Sequence, residues 1–328
     1  MNNNISYQFL TVPFTRIDRE DRLTDFSLSA APEPLVTSIR EIGVLNPVVL
    51  MDAGNRYRIL CGHRRVSICA SLGISAIRAR VVDTKIDARA MLDLNLAENS
   101  AHRLFSDIEK SGILACLSDA GVSGDLIIQK YMPLLGLERS KKLYQDFAAA
   151  QSLNPGFRQL LHELNIPLRI FSFLFPWDAD SRDAARELFS RLRPGANKWR
   201  DLLELTDETA RIAGQSPERI LRREEIQSIL AQAGLPPHEQ YDRIVQTLFP
   251  WRYPALAALK KKAGELMDRL GLGGQTKIRI QESFETEEIK IEIRCRDQKT
   301  LIDQADKLAL ASRSGAMQEL MRLLKSLE

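Results

Sequence analysis

The residues best suited to chemistry are the five of Cys61-Gly62-His63-Arg64-Arg65, between a strand-like run, Tyr57 to Leu60, and an apolar helix-compatible stretch, Val66 to Leu72. A glycine admits close approach of an anion, and the first helical turn offers unpaired N–H donors. Two guanidiniums add rigid forks that match phosphate oxygens. Gly62, His63, Arg64 and Arg65 are therefore candidate phosphate ligands, and a solvated helix start is the plain alternative. A second cationic group, Arg139, Ser140, Lys141, Lys142 and Gln145, opens another helical stretch with a capping serine. Side chains of these types reach phosphates and base edges in a DNA groove. A solvated face of a helical bundle is the alternative there.

Both groups need elements that hold them. Pro34 to Ile42 has helical spacing at Leu35, Ile39 and Ile42 and closes at Gly43. Asn46 to Met51 and Arg56 to Leu60 predict strands joined by the turn Asp52-Ala53-Gly54-Asn55. Ala76 to Val82 predicts a third strand, and Ile86 to Leu96 a helix that delivers Ala97-Glu98-Asn99. Helices follow over Phe105 to Leu117, Ser123 to Leu135 with Pro133 inside, and Ser140 to Phe147. Gly136-Leu137-Glu138 forms the turn of a helix-turn-helix.

In this order the segment from Ser38 to Glu109 resembles the N-terminal domain of the ParB family of partition proteins, which is related to the sulfiredoxin fold. The matching residues are Ser38-Ile39 through Gly43, Asn46 to Leu50, Tyr57 to Leu60, Gly62 to Arg65, Glu98-Asn99 and Ile108-Glu109. Looser resemblance extends from Leu35 to Leu174. It implies a nucleotide, CTP, with phosphates on Gly62, Arg64 and Arg65, and a magnesium ion held with the help of Glu98 and Asn99. Such an ion wants few protein oxygens, with phosphate and water completing the octahedron.

Two positions depart from the family. His63 replaces the glutamate linked to hydrolysis, and His102 replaces an arginine for which Arg103 is a substitute. At most weak CTPase activity is expected. In sulfiredoxin the phosphate turn carries a catalytic cysteine; here Cys61 precedes the glycine, where a buried apolar role suits it.

The resemblance implies an α+β chain: an arm over 1–33, a ParB/sulfiredoxin-like mixed-sheet nucleotide-binding domain over 34–110, and a helix-turn-helix DNA-binding domain over 111–175. Pattern alone adds a helical domain over 176–272 and a β-hairpin with a helix over 273–328, a candidate dimerisation element. Phe175-Pro176-Trp177 and Phe249-Pro250-Trp251 suggest an internal repeat or a coincidence. Lys260-Lys261-Lys262 forms an exposed stripe. The hairpin strands, Thr276 to Ile280 and Glu288 to Arg294, alternate apolar and polar residues, and one helix is expected from Lys299 to Leu327.

Composition narrows the classes. At 328 residues and 44% hydrophobic content, several cores can form, and a net charge of +3 confines any nucleic-acid surface to a local patch. Neither the four cysteines nor the four histidines have metal-ligand spacing, and no run suggests a leader or membrane span. The expectation is a cytoplasmic, nucleoid- or plasmid-associated homodimer that binds DNA, acting in partition or transcription, with a partition ATPase as a further implied partner. The alternatives are a nucleotide-dependent kinase or nuclease on this fold, using Asp52, Asp83 or Glu41 as base, and a DNA-binding scaffold that has lost its nucleotide.

Overall fold

The computed structural model describes residues 6–82, 85–100, 103–281 and 288–325. Asp83 and His102 lie outside these. The chain divides into two compact units, residues 1–191 with 195–200, and 192–194 with 201–328.

The first unit opens on β1 (Tyr7–Pro13) and β2 (Ile17–Asp18), then α1 (Glu33–Ile42), β3 (Val48–Asp52), β4 (Tyr57–Cys61), α2 (His63–Ser71), β5 (Ala76–Val82) and α3 (Ala88–Asn99). The strands form one mixed sheet in the order β1-β5-β3-β4-β2. β3 pairs parallel with β5 and antiparallel with β4. Because helices cover both faces, β3 is buried over four consecutive residues rather than alternating. Val48, Leu50, Ile59, Val66 and Ala79 pack on one face, and Val49, Met51, Leu60, Cys61 and Met91 on the other. Leu50 and Leu60 are fully buried; truncating either to alanine costs about 2–5 kcal/mol.

The segment expected as an arm therefore enters the sheet: β1 pairs along its length with β5, and β2 joins β4. Tyr7-Gln8-Phe9-Leu10-Thr11-Val12 is rich in strand-forming residues, but the run is short and borders a charged stretch.

Helices complete this unit. α4 (Asp107–Asp119) starts with a capping box of Ser106 and Glu109. α5 (Gly124–Leu126), a π-helical turn at Ile127–Tyr131 and α6 (Met132–Leu134) form one irregular segment. Pro133 removes the N–H that Gln129 would receive in an α-helix, and the Gln129 carbonyl instead accepts from Arg139 Nε at 3.4 Å. α7 (Lys141–Ala149), α8 (Pro155–Glu163), α9 (Leu168–Phe171) and α10 (Ala179–Arg191) follow. Phe147, Phe157 and Phe171 are buried, and Phe189 stacks on Trp199 with ring centres 3.9 Å apart.

Beyond these lie α11 (Ala196–Ala213), α12 (Pro217–Leu221), α13 (Glu224–Ala231), α14 (Pro237–Arg252), α15 (Pro254–Arg269), β6 (Thr276–Ile280), β7 (Ile289–Ile293), α16 (Gln298–Ser312) and α17 (Gly315–Lys325). β6 and β7 form an antiparallel hairpin. The single C-terminal helix expected is two, because Ser314 caps a new start by accepting from the Met317 N–H at 3.3 Å. The two Phe-Pro-Trp clusters are not equivalent: Phe175 to Trp177 precedes α10, whereas Phe249 to Trp251 lies within the last turns of α14.

Candidate functional site

A cleft of about 740 Å³ lies where β4 ends and α2 begins. Gly62 turns the chain with φ of 100°. A Cβ there would stand 2.8 Å from Val48 Cγ1, so the position requires glycine for space as well as conformation. Gly62, His63, Arg64 and Arg65 all line the cleft, and so do Glu98 and Asn99 from the end of α3.

The two arginines are held before any ligand arrives. Arg65 Nη1 donates to the Asn46 and Pro47 carbonyls, the latter at 2.9 Å, and Nη2 lies 3.5 Å from Glu98 Oε1. Arg64 Nε donates to Ser27 Oγ at 2.7 Å. Arg80 reaches the same Glu98 oxygen at 3.8 Å, and Arg103, also on the cleft wall, pairs with Glu109. Burial pushes the Arg103 guanidinium down from its ordinary value, with the charge of Arg64 adding to the effect and Glu109 opposing it. Among the described residues four arginines thus line the cleft against two carboxylates, Asp25 and Glu98, with Glu109 paired to Arg103 behind the wall. Such a surface, with water partly excluded, favours an anion.

His63 is tied to the segment before α1. Thr24 gives its hydroxyl proton to the Ile59 carbonyl at 2.7 Å and so accepts from His63 Nε2 at 2.9 Å. Nδ1 lies 3.9 Å from Asp25 Oδ2. Burial nevertheless pushes the imidazole below its usual range, keeping it neutral near pH 7. Cys61 is fully buried beneath the turn, and burial raises its thiol far above the usual value, with Glu98 contributing. No thiolate forms there.

Glu98 and Asn99 suit magnesium in kind. Asn99 Nδ2 donates to the Asn95 carbonyl at 2.9 Å and to Asn95 Oδ1 at 3.0 Å, which leaves its own Oδ1 for a cation. Among the described residues Glu98 Oε2 has no nitrogen or oxygen partner, although the Cys61 thiol lies against this carboxylate. One carboxylate and one amide oxygen fit an ion that takes most of its shell from phosphate and water.

Residues 6–100 match the family described as the ParB N-terminal domain. This segment is similar to ParB N-terminal domains. It is similar to a probable plasmid-partitioning protein ParB of Thermus thermophilus, 36% identical over 98 residues, 29% of this chain and 32% of that protein. A probable chromosome-partitioning protein ParB of Coxiella burnetii is 33% identical over 89 residues, 27% of this chain and 30% of the relative. The chain thus spans about a third of the length of these curated relatives. A truncated ParB of Caulobacter crescentus, solved with CTP-gamma-S, aligns over 60% of this chain and 97% of that one at 19% identity and a TM-score of 0.25, a likeness too loose to extend to the ligand.

Sequence reasoning missed several parts of the cleft. Asn95, fully inside, donates to the Thr24 and Leu60 carbonyls at 3.1 and 2.6 Å and ties α3 to the strap before α1. Its signal was the Asn95–Asn99 spacing of one helical turn. Arg80 and Phe9 belong to β5 and β1, whose facing residues are set by strand register rather than by any motif. The strap itself continues out of the cleft: the Leu28 N–H donates to Glu109 at 3.2 Å, its carbonyl accepts from Gln159 at 3.1 Å, and Ser29 Oγ bonds His162 at 2.6 Å.

The second cationic group is arranged differently. Ser140 caps α7, accepting from the Leu143 N–H at 3.2 Å. Arg139, Lys141, Lys142 and Gln145 are exposed, and Lys142 pairs with Asp146 one turn on at 2.9 Å. Phe147 anchors the opposite face of the helix in the core. Asp52 and Glu41, considered as bases, lie outside the cleft lining; Asp52 accepts from the Gly54 N–H in its own turn. Among the described residues no helix is long and apolar enough to cross a membrane.

Proposed function

We propose that the chain is a ParB-like DNA-binding protein of the partition or transcription-regulator type, with a nucleotide-phosphate site in its N-terminal cleft. The observation that carries this reading is the excess of four arginines over two carboxylates around the Gly62 turn, two of the arginines already oriented by backbone carbonyls or Ser27. Gly62, Arg64 and Arg65 would take the phosphates, and Glu98 with Asn99 a magnesium ion. That ion would supply charge neutralisation between phosphate oxygens. CTP is the nucleotide that the ParB-type sequence of the glycine turn favours, and so the first to test.

Hydrolysis is expected to be weak or absent. His63 is neutral, bonded to Thr24, and cannot orient water as a carboxylate does.

DNA contact is assigned to Arg139, Ser140, Lys141, Lys142 and Gln145 at the start of α7. The Ser27–Leu28–Ser29 strap connects Arg64 with α4 and α8 and supports a coupling between cleft and helical region. A second copy of the chain is the proposed occupant of the apolar groove formed by Ile289, Ile291, Leu308 and Met321. The test is fluorescence anisotropy on labelled duplex DNA with and without CTP and magnesium. A change in affinity or salt dependence on adding nucleotide supports the reading; DNA binding indifferent to nucleotide leaves a scaffold without its switch.

A further inference from the structure

Phe9 is 74% exposed, yet it lines the cleft. It stands on β1 directly across from Arg80 on β5, so the two side chains share one face of the sheet. Arg80 in turn extends over the Tyr7 ring, 5.8 Å from its centre, and reaches Glu98 at 3.8 Å. The edge strand therefore adds an exposed aromatic ring, with Arg80 beside it, to a cleft whose glycine turn is cationic. The cleft volume of about 740 Å³ lies within the range of small-ligand sites.

We propose that Phe9 is a stacking platform for the base of the bound nucleotide, with Arg80 beside it as the cation that borders the ring. This rests on the nucleotide reading given above and adds the residue that reads the heterocycle as opposed to the phosphates. A phenyl ring left in water has one face with nothing to pack against. A planar base covers it at little conformational cost, because the ring sits on a paired strand. The neighbouring carboxylate fits: Glu98 pairs with Arg80 through its Oε1 and so holds the guanidinium near the sheet face.

The test is calorimetry on the full chain with magnesium, titrating CTP, ATP and inorganic tripolyphosphate into wild type, Phe9→Ala and Phe9→Tyr. Phe9 is exposed, so folding is checked by an unchanged melting temperature. For whichever nucleotide binds more tightly, Phe9→Ala is expected to weaken binding by about tenfold to a hundredfold. Tripolyphosphate should bind both proteins equally, and Phe9→Tyr should restore nucleotide affinity to within about threefold, because it keeps the aromatic face. A nucleotide that binds Phe9→Ala as tightly as wild type overturns the platform, as does a wild type that prefers neither nucleotide over tripolyphosphate; in both cases the phosphate site stands. A wild type that binds none of the three overturns the nucleotide reading itself, and the platform with it.

Discussion

The cleft and the start of α7 are both cationic, but they present charge in opposite ways. Arg65 is 18% exposed and its fork is fixed by two carbonyls and Glu98, whereas Lys142 is 84% exposed and has one neighbour on its own helix. A held, partly dry guanidinium has lost its rotamer freedom before binding and matches one geometry. A solvated lysine gives up freedom and water on contact, and recognises charge wherever it is. The first arrangement suits a small polyanion in one pose, the second the regular phosphates of a duplex.

Four substitutions or conditions break or sharpen that contrast. The largest effect is expected for Gly62→Ala. The new Cβ meets Val48 Cγ1 at 2.8 Å in a left-handed conformation, so the protein should lose roughly 1–3 kcal/mol and the phosphate cradle with it. Thermal melting and a nucleotide titration measure the two losses together; a variant as stable as wild type would mean the turn has slack the structure does not display.

Arg65→Ala comes next, with an expected drop of about a hundredfold in nucleotide affinity. Arg65→Lys should recover little of it, because an ammonium cannot bridge the Asn46 and Pro47 carbonyls and still offer a fork. Full rescue by lysine would reduce the cleft to a point-charge surface like α7.

On the other side of the comparison, Lys141→Ala with Lys142→Ala should weaken DNA binding several-fold on every sequence and lower the salt slope by about two, leaving nucleotide affinity and melting temperature unchanged. A loss confined to one DNA sequence would instead place these lysines at base edges.

The smallest effect is the pH dependence from His63. Burial depresses its folded-state pKa below the ordinary 6.5, so the unfolded chain binds more protons between those two values. Its contribution is fully present above about pH 6.5 and is lost as pH falls through the folded pKa. Melting curves of wild type and His63→Gln should therefore diverge in slope just below pH 6.5. Parallel curves would show the imidazole to be solvated after all.

How much of this was legible in the sequence follows from what each part depends on. β5 matches its predicted span, Ala76 to Val82, and β6 its span, Thr276 to Ile280, because the alternation and the flanking turns are local. The glycine turn was legible because Gly62 is required by conformation and close contact at one point. β1 was not, since its strand character is completed only by pairing with β5 seventy residues away. Arg80, Phe9 and Asn95 were missed for a related reason: they become cleft residues through register and helix packing, which no short motif encodes. His63 was placed in the cleft by its motif, but its role is decided by Thr24, a residue in the strap that sequence order keeps far from it.

The measurement that bears most directly on the central claim is calorimetric titration of CTP with magnesium into wild type and Arg64→Ala. Among the described residues Ser27 alone holds the Arg64 guanidinium, so its removal should leave the fold intact. The account predicts saturable binding to wild type that the substitution abolishes or weakens at least tenfold. A folded wild-type protein that gives no heat, or an Arg64→Ala protein that binds as well as wild type, would contradict it.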